Sequence, residues 1–354
     1  MTTVPHMLGR LRGLAIFATF AIVAVTSFHG TPARAQSADA PRTEAQLEQM
    51  VAPIALYPDA LLSQVLMAST YPLEVAEAAR WSRDNSAVTG EGLEDAVREQ
   101  SWDPSVKSLM AVPPTLQMMG DKPDWTRQLG DAFLAQQKDV LAAIQRLRAR
   151  ADAADTLNTT PQQKIAKVAA PPPPGSSAPP ATVYAIEPAT PDEYYVPIYD
   201  PGVVYGAWPH PNYLPFYWHP PDHVAGDALT FTAGVITAAA IWGRVDWWQH
   251  RVNINVARYN RFNNTGIKKN TWLHDPAHRG NVPYPNRDVA ARVADQSKAE
   301  AGRADDDKQA KTKQSEAKSK AATKTKTATK TKKTARTKQA GTGKKASGTK
   351  RAGQ

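Results

Sequence analysis

One apolar stripe constrains this chain more than any other feature. Between Pro123 and Arg150 the side chains of Trp125, Leu129, Phe133, Val140, Ile144 and Leu147 recur at three- and four-residue spacing, which places them on one face of a single long helix. An apolar face of that length has to be buried, so the helix demands partners. Short helices expected around 59–69, 72–85, 91–100 and 104–110 supply them. Pro72, Pro104 and Pro123 each stand at a helix start, where a missing N–H is tolerated. Asp59 after Pro58 reads as an N-cap, and Asp103 before Pro104 reads as another. The fold class is therefore mainly α, with an all-helical domain over 43–150.

The helical pattern fades from Ala151. Pro171 to Pro174, followed by Gly175, Ser176, Ser177, Pro179 and Pro180, favour the extended polyproline conformation, so 151–182 reads as a Pro-rich linker acting as a spacer. Residues 183–290 then form a small aromatic- and His-rich module, α+β or irregular. Eighteen of the chain's twenty-seven aromatic residues fall in 183–285, and so do His210, His219, His223, His250, His274 and His278. Tyr194–Tyr199 and Val203–Tyr205, parted by Asp200-Pro201-Gly202, read as two short strands around a turn. Ala228–Trp242 reads as a buried helix or tight hairpin. Val252, Ile254 and Val256 alternate as a further short strand.

Charge divides the chain sharply. The net formal charge is +10, yet residues 308–354 alone hold sixteen Lys and Arg against one acid, Glu316. The remainder is acidic. Residues 295–354 are low in complexity, and their Lys-Thr-Ala repeats carry no large apolar side chain with which to offset the entropy of ordering, so a disordered cationic tail is expected. At the other end, Arg10 and Arg12, an apolar run from Leu14 to Phe28 and Ala33-Arg34-Ala35 have the form of a signal peptide over 1–35, cleaved after Ala35 to expose Gln36. The apolar run is shorter than a membrane span requires. The expected product is exported to the periplasm or cell envelope, free of disulfides because the chain has no cysteine, and without a transmembrane span in the mature protein.

Three segments carry a family likeness. Leu47–Pro72, with Pro53-Ile54-Ala55-Leu56-Tyr57-Pro58-Asp59-Ala60-Leu61-Leu62 at its centre, Tyr195-Val196-Pro197-Ile198-Tyr199-Asp200-Pro201, and Trp272-Leu273-His274-Asp275-Pro276-Ala277-His278-Arg279-Gly280 resemble the bacterial family named domain of unknown function 3300. The resemblance covers roughly residues 45–290. It implies an exported protein without an assigned activity, and it transfers no catalytic residue. The one local departure is that Arg279 meets Gly280 directly, where the family usually has another basic residue between them.

Four elements of the sequence carry candidate chemistry. His219-Pro220-Pro221-Asp222-His223 and His274-Asp275-Pro276-Ala277-His278 share the form H-x-P-x-H. Imidazole and carboxylate suit zinc, so His219, His223, His274 and His278 are candidate metal ligands. Proline inside each pair breaks the helix that a ready-made H-x-x-x-H site needs, and loop hydrogen bonding is the plainer role. Trp208, Tyr213, Tyr217, Trp218, Trp242, Trp247, Trp248 and Trp272 suit either sugar stacking or core packing, with core packing favoured for most. Asp59 and Glu74 read as a cap and a surface helix charge rather than an acid–base pair. The tail, through Lys324, Lys326, Lys330, Lys332, Lys333, Arg336, Lys338, Lys344 and Lys345, is a polycation whose grip on polyanions should fall steeply with salt. No nucleophile elbow or Gly-rich phosphate loop is present in the sequence. The leading reading is a non-enzymatic binding or structural protein of the envelope, tethered by its tail to anionic polymers or lipids. Alternatives are a metal-dependent hydrolase acting on envelope material and, third, a nucleic-acid-binding protein.

Overall fold

Helix starts follow their capping chemistry through the first half of the chain. In the computed structural model, which describes residues 40–169, 182–191, 193–218, 229–232, 240–300 and 302, Thr43 and Gln46 form a reciprocal capping box that opens α1 (Glu44–Val51). Proline occupies the first turn of α3 (Pro72–Asp84), α5 (Pro104–Leu109), α6 (Pro113–Asp121) and α7 (Pro123–Ala153). Asp103 caps α5 by accepting from the Ser105 N–H at 2.8 Å. Between these helices lie α2 (Asp59–Ala68) and α4 (Gly90–Arg98). Helix α7 runs for 31 residues with a kink at Gln136, whose side-chain amide bonds both the N–H and the C=O of Arg42.

The long stripe finds its partners as the periodicity requires. Helix α1 lies along α7, α3 on α6, and α2 against α5. Leu61, Leu62, Val65 and Leu66 of α2 and Leu129, Phe133, Val140, Ile144 and Leu147 of α7 are all buried. Helix α7 passes so close to the turn after α2 that a Cβ on Gly130 would overlap the Ser69 carbonyl. α1 and α6 are helices that periodicity alone left unmarked.

The second half is built from short pieces. β1 (Gln163–Ala169) pairs antiparallel with β2 (Thr182–Pro188), with Ile165 opposite Ile186, so a strand occupies part of the stretch expected as linker. β3 (Pro197–Ile198) pairs with β4 (Thr230–Phe231), and β5 (Gly243–Asp246) with β6 (Arg251–Ile254). Val203–Tyr205 is not a strand. Asp200 accepts from the Gly202 N–H at 2.7 Å and Pro201 takes the first position, so the segment turns into α8 (Pro201–Val204). The strand expected through Val256 ends earlier, because Asn255 caps α9 (Val256–Asn263). After α10 (Pro276–Arg279), residues 287–300 form α11, which buries Val289 and Val293. Residues 295–300, expected as the start of the structureless tail, therefore complete a helix. The expected signal segment, the proline run, His219, His223, most of 228–242 and the cationic residues from 308 onward lie outside the described residues.

Helices and aromatic segments share one core. Tyr199 and Tyr205 donate to the Ala52 carbonyl at 2.9 and 2.8 Å, and the Leu56 N–H donates to the Tyr199 oxygen at 3.2 Å. Those bonds satisfy the irregular turn between α1 and α2 and tie the first family-like segment to the second. Nearby, the fully buried Arg148 donates to the carbonyls of Ala55, Tyr57 and Tyr184 and to Asp59 Oδ1 at 2.6 Å, with its guanidinium 4.9 Å from the centre of the Trp247 ring. Asp59 is not an N-cap. It sits at the first helical position, and its carboxylate accepts from Arg148, from Trp247 Nε1 at 2.8 Å and from the Ile186 N–H at 3.3 Å. Most of the aromatic residues suspected of stacking on sugars pack here instead, although Trp248 remains 50% exposed.

Candidate functional site

The third family-like segment closes over the turn between α2 and α3. Asp275 caps α10 through the Ala277 N–H at 2.9 Å, repeating the Asp-Pro start already seen at α5 and α8. Gly280 follows with φ of +62°, a region that favours glycine. That turn brings the Val282 and Pro283 carbonyls back onto Arg279, at 3.1 and 2.8 Å. Arg279, 1% exposed, also donates to the Thr70 carbonyl at 3.0 Å and to Asp131 Oδ1 at 2.6 Å, with the Tyr284 ring 4.8 Å away. The segment is thereby pinned to α7 and to the α2–α3 turn by one side chain.

The two histidines of this segment take different roles. His274 stacks on Tyr71 with ring centres 5.0 Å apart, while its Nδ1 pairs with the Thr70 hydroxyl and its Nε2 with the Tyr284 hydroxyl, both at 3.1 Å. Burial, reinforced by the Arg279 charge, lowers its pKa to about 4, so it is neutral at pH 7. His278 Nδ1 meets Glu74 Oε1 at 2.8 Å. Burial works against a charge on His278, but the Glu74 hydrogen bond and charge, with help from Asp103 and Asp275, outweigh it and raise the pKa. The other Glu74 oxygen accepts from the Asp103 N–H at 2.6 Å. Burial pushes the Asp103 carboxyl up to about 6 in spite of its two hydrogen bonds from Ser105.

A cleft of about 500 Å³ opens over these groups, lined by Asp103, Trp242, Tyr259, Trp272, His274, Asp275, His278 and Glu300 among others. His278 Nε2 makes no hydrogen bond among the described residues. Pairing with Glu74 favours the protonated form of His278, in which Nε2 carries a proton it can donate. Of the four histidines read as candidate zinc ligands, His274 has both ring nitrogens bonded to hydroxyls, His278 pairs with Glu74, and the other two lie outside the described residues. Among the described residues no group of three or more His, Asp or Glu side chains is placed to hold a metal. Glu74 is not the surface charge that its helical context suggests: its side chain is 16% exposed. Tyr71, Glu74, Asp131 and Arg279 are members that residue type alone did not reveal. Their signal was the pairing of two family-like segments, one ending at Tyr71-Pro72 and the other holding His274 to Arg279.

That pairing coincides with the reach of a known family. A family model described as a protein of unknown function, DUF3300, matches residues 43–279. The chain belongs to the DUF3300 family. Within this DUF3300 chain the matched stretch begins at the Thr43 cap and ends at Arg279, so it includes Thr70, Asp131 and Arg279 and both tyrosines that tie down the α1–α2 turn. The "Uncharacterized protein YacH" of Escherichia coli (strain K12) is 38% identical over 322 residues, an alignment covering 74% of this chain and 51% of that protein. The chain thus spans about half the length of this relative. No solved structure matches. No helix among the described residues is long and apolar enough to cross a membrane.

Proposed function

We propose that this DUF3300 protein is an exported, non-enzymatic protein of the cell envelope, held by its Lys-rich C-terminal segment to anionic surface polymers or lipids. The observation that carries the reading is the charge partition: sixteen cationic residues against one acid in residues 308–354, joined to a body of net negative charge that is built around a shared apolar core. A polycation of that kind binds polyanions chiefly by releasing their counterions. Export directs it to lipid phosphate, lipopolysaccharide or acidic polysaccharide rather than to nucleic acid. The bonding of His274 and Arg279 supports a structural use for the His-Asp-Pro segment. Their polar atoms bind one stretch of chain to another, as a clamp does.

The test is deletion of residues 308–354 followed by fractionation. The intact protein is expected to sediment with envelopes at low salt and to be released as salt rises, and the truncated protein to remain soluble at both. Equal sedimentation of the two proteins contradicts the tether.

A further inference from the structure

We infer that the cleft between β2 and β5 receives an extended, acidic polypeptide segment, which pairs as a strand with the free edge of β5. This site lies in the folded body and does not rest on the tether. Strand register fixes which way the backbone of β5 faces. Gly243 stands opposite Ile254, and Val245 opposite Val252. The Ile254 N–H donates to the Asn270 carbonyl, on the side of β6 away from β5, so Gly243 and Ile254 form a non-hydrogen-bonded pair. Bonded and non-bonded pairs alternate along an antiparallel ladder, which puts Val245 in the same class. The N–H and C=O groups of Gly243 and Val245 therefore point away from β6, and among the described residues no strand pairs with that edge.

The contrast with β2 is sharp. Its outer edge borders the same cleft, but side chains close it. The Gln145 amide accepts from the Tyr184 N–H at 2.8 Å and donates to the Tyr184 carbonyl at 2.9 Å, and Asp59 Oδ1 accepts from the Ile186 N–H at 3.3 Å. On β5 the alternating donors and acceptors stay open, and an open strand edge is a template for another main chain. Arg244 and Arg258 set the charge of that chain. Both line the cleft, whose volume is about 960 Å³. Arg258 donates to the Tyr194 hydroxyl and the Ile241 carbonyl, both at 3.3 Å, and neither arginine has a carboxylate partner among the described residues. The acids on the walls are already engaged: Asp59 pairs with Arg148, Asp246 accepts from the Gln249 N–H at 3.0 Å, and Glu187 stands opposite Lys164. Gly243 faces α2, where a Cβ would meet Ser63, and Val245 is buried, while Arg244 between them is exposed. A strand added beside β5 thus sets apolar side chains toward α2 and acidic ones beside Arg244.

Titration calorimetry of the full chain with an acetylated, amidated heptapeptide of alternating glutamate and valine tests this, at ~0.3 M salt so that the cationic tail is screened. Saturable binding with a Kd below about 1 mM is expected. The same peptide N-methylated at every residue keeps its charge and loses its N–H donors, and should bind at least about tenfold more weakly. Arg244→Glu should weaken binding of the parent peptide at least about fivefold with circular dichroism unchanged, and should bind a valine–lysine peptide more tightly than the unaltered chain does. Removal of residues 308–354 should leave the affinity as it was. Absence of saturable binding overturns the inference. So does equal binding of the N-methylated peptide, which marks a site for anions rather than for a main chain, and so does binding that is lost with residues 308–354, which places the peptide on the tail.

Discussion

Replacing Arg148 by leucine removes a fully buried side chain with four hydrogen bonds to the surrounding interior. The guanidinium donates to three backbone carbonyls, those of Ala55, Tyr57 and Tyr184, and to the Asp59 carboxylate. Cutting a buried ion pair from one side costs ~3–5 kcal/mol. The carbonyls of Ala55 and Tyr57, left dry, add ~1–3 kcal/mol each before relaxation, while that of Tyr184 keeps its bond from Gln145 Nε2 at 2.9 Å. Two facts reduce the sum: Asp59 keeps its bonds from Trp247 Nε1 and the Ile186 N–H, and leucine packs part of the vacated volume. A net loss of ~4–6 kcal/mol remains. For a body of this size it corresponds to a fall in Tm of ~10–20 °C, followed by far-UV circular dichroism. Adding Asp59→Asn to Arg148→Leu should restore part of the loss, since asparagine still accepts from Trp247 and no longer leaves a carboxylate stranded. If Arg148→Leu loses less than ~1 kcal/mol, or if the second substitution simply adds its own cost, the pair is not the internal anchor described here.

Three further outcomes follow from the same contacts. His274→Gln tests acid sensitivity: the folded pKa of about 4 lies below the unfolded value of ~6.5, so the unfolded chain takes up the proton first and stability falls as pH drops from ~6.5 toward 4. The variant should be less stable at pH 7.5, yet lose up to ~3 kcal/mol less than the parent on acidification to pH 4, and parallel urea-denaturation curves at the two pH values read the difference. Gly130→Ala is expected to destabilise by ~1–3 kcal/mol in urea, because its Cβ would overlap the Ser69 carbonyl and stand 2.8 Å from the Thr70 nitrogen, whereas Gly266→Ala, with open space around it, should be close to neutral. Tyr199→Phe leaves the Leu56 N–H without its acceptor, and a loss of ~1–3 kcal/mol should appear in the same denaturation assay.

The helices were legible because their signals are local. Prolines at first-turn positions and the stripe from Trp125 to Leu147 located α3, α5 and α7 within a few residues, since burial and capping act over one or two turns. α8 and α10 were hidden for a related reason: Asp200-Pro201 and Asp275-Pro276 carry the same cap-and-proline signal as Asp103-Pro104, but their helices are four residues long and bear no periodic stripe. The pairing of β1 with β2 depends on contacts across a proline-rich interval, which no local pattern records. Site chemistry was the least legible. His274 and His278 stand out by type, yet what each does is set by Thr70, Glu74, Tyr284 and Arg279, and two histidine contacts and one from Arg279 cross about 200 residues of chain. Asp59 shows the same limit, since its position after Pro58 suggests a cap and only the arrival of Arg148 and Trp247 makes it an interior counter-ion.

Export underlies the proposed role, and the mature N-terminus tests it most directly. The protein is to be expressed from its full sequence in a proteobacterial host, recovered from separated cytoplasmic, periplasmic and envelope fractions, and sequenced from its first residue. The account predicts a chain beginning at Gln36 in the envelope fraction, released into the soluble periplasm by high salt. A chain retained in the cytoplasm with residues 1–35 intact would contradict it.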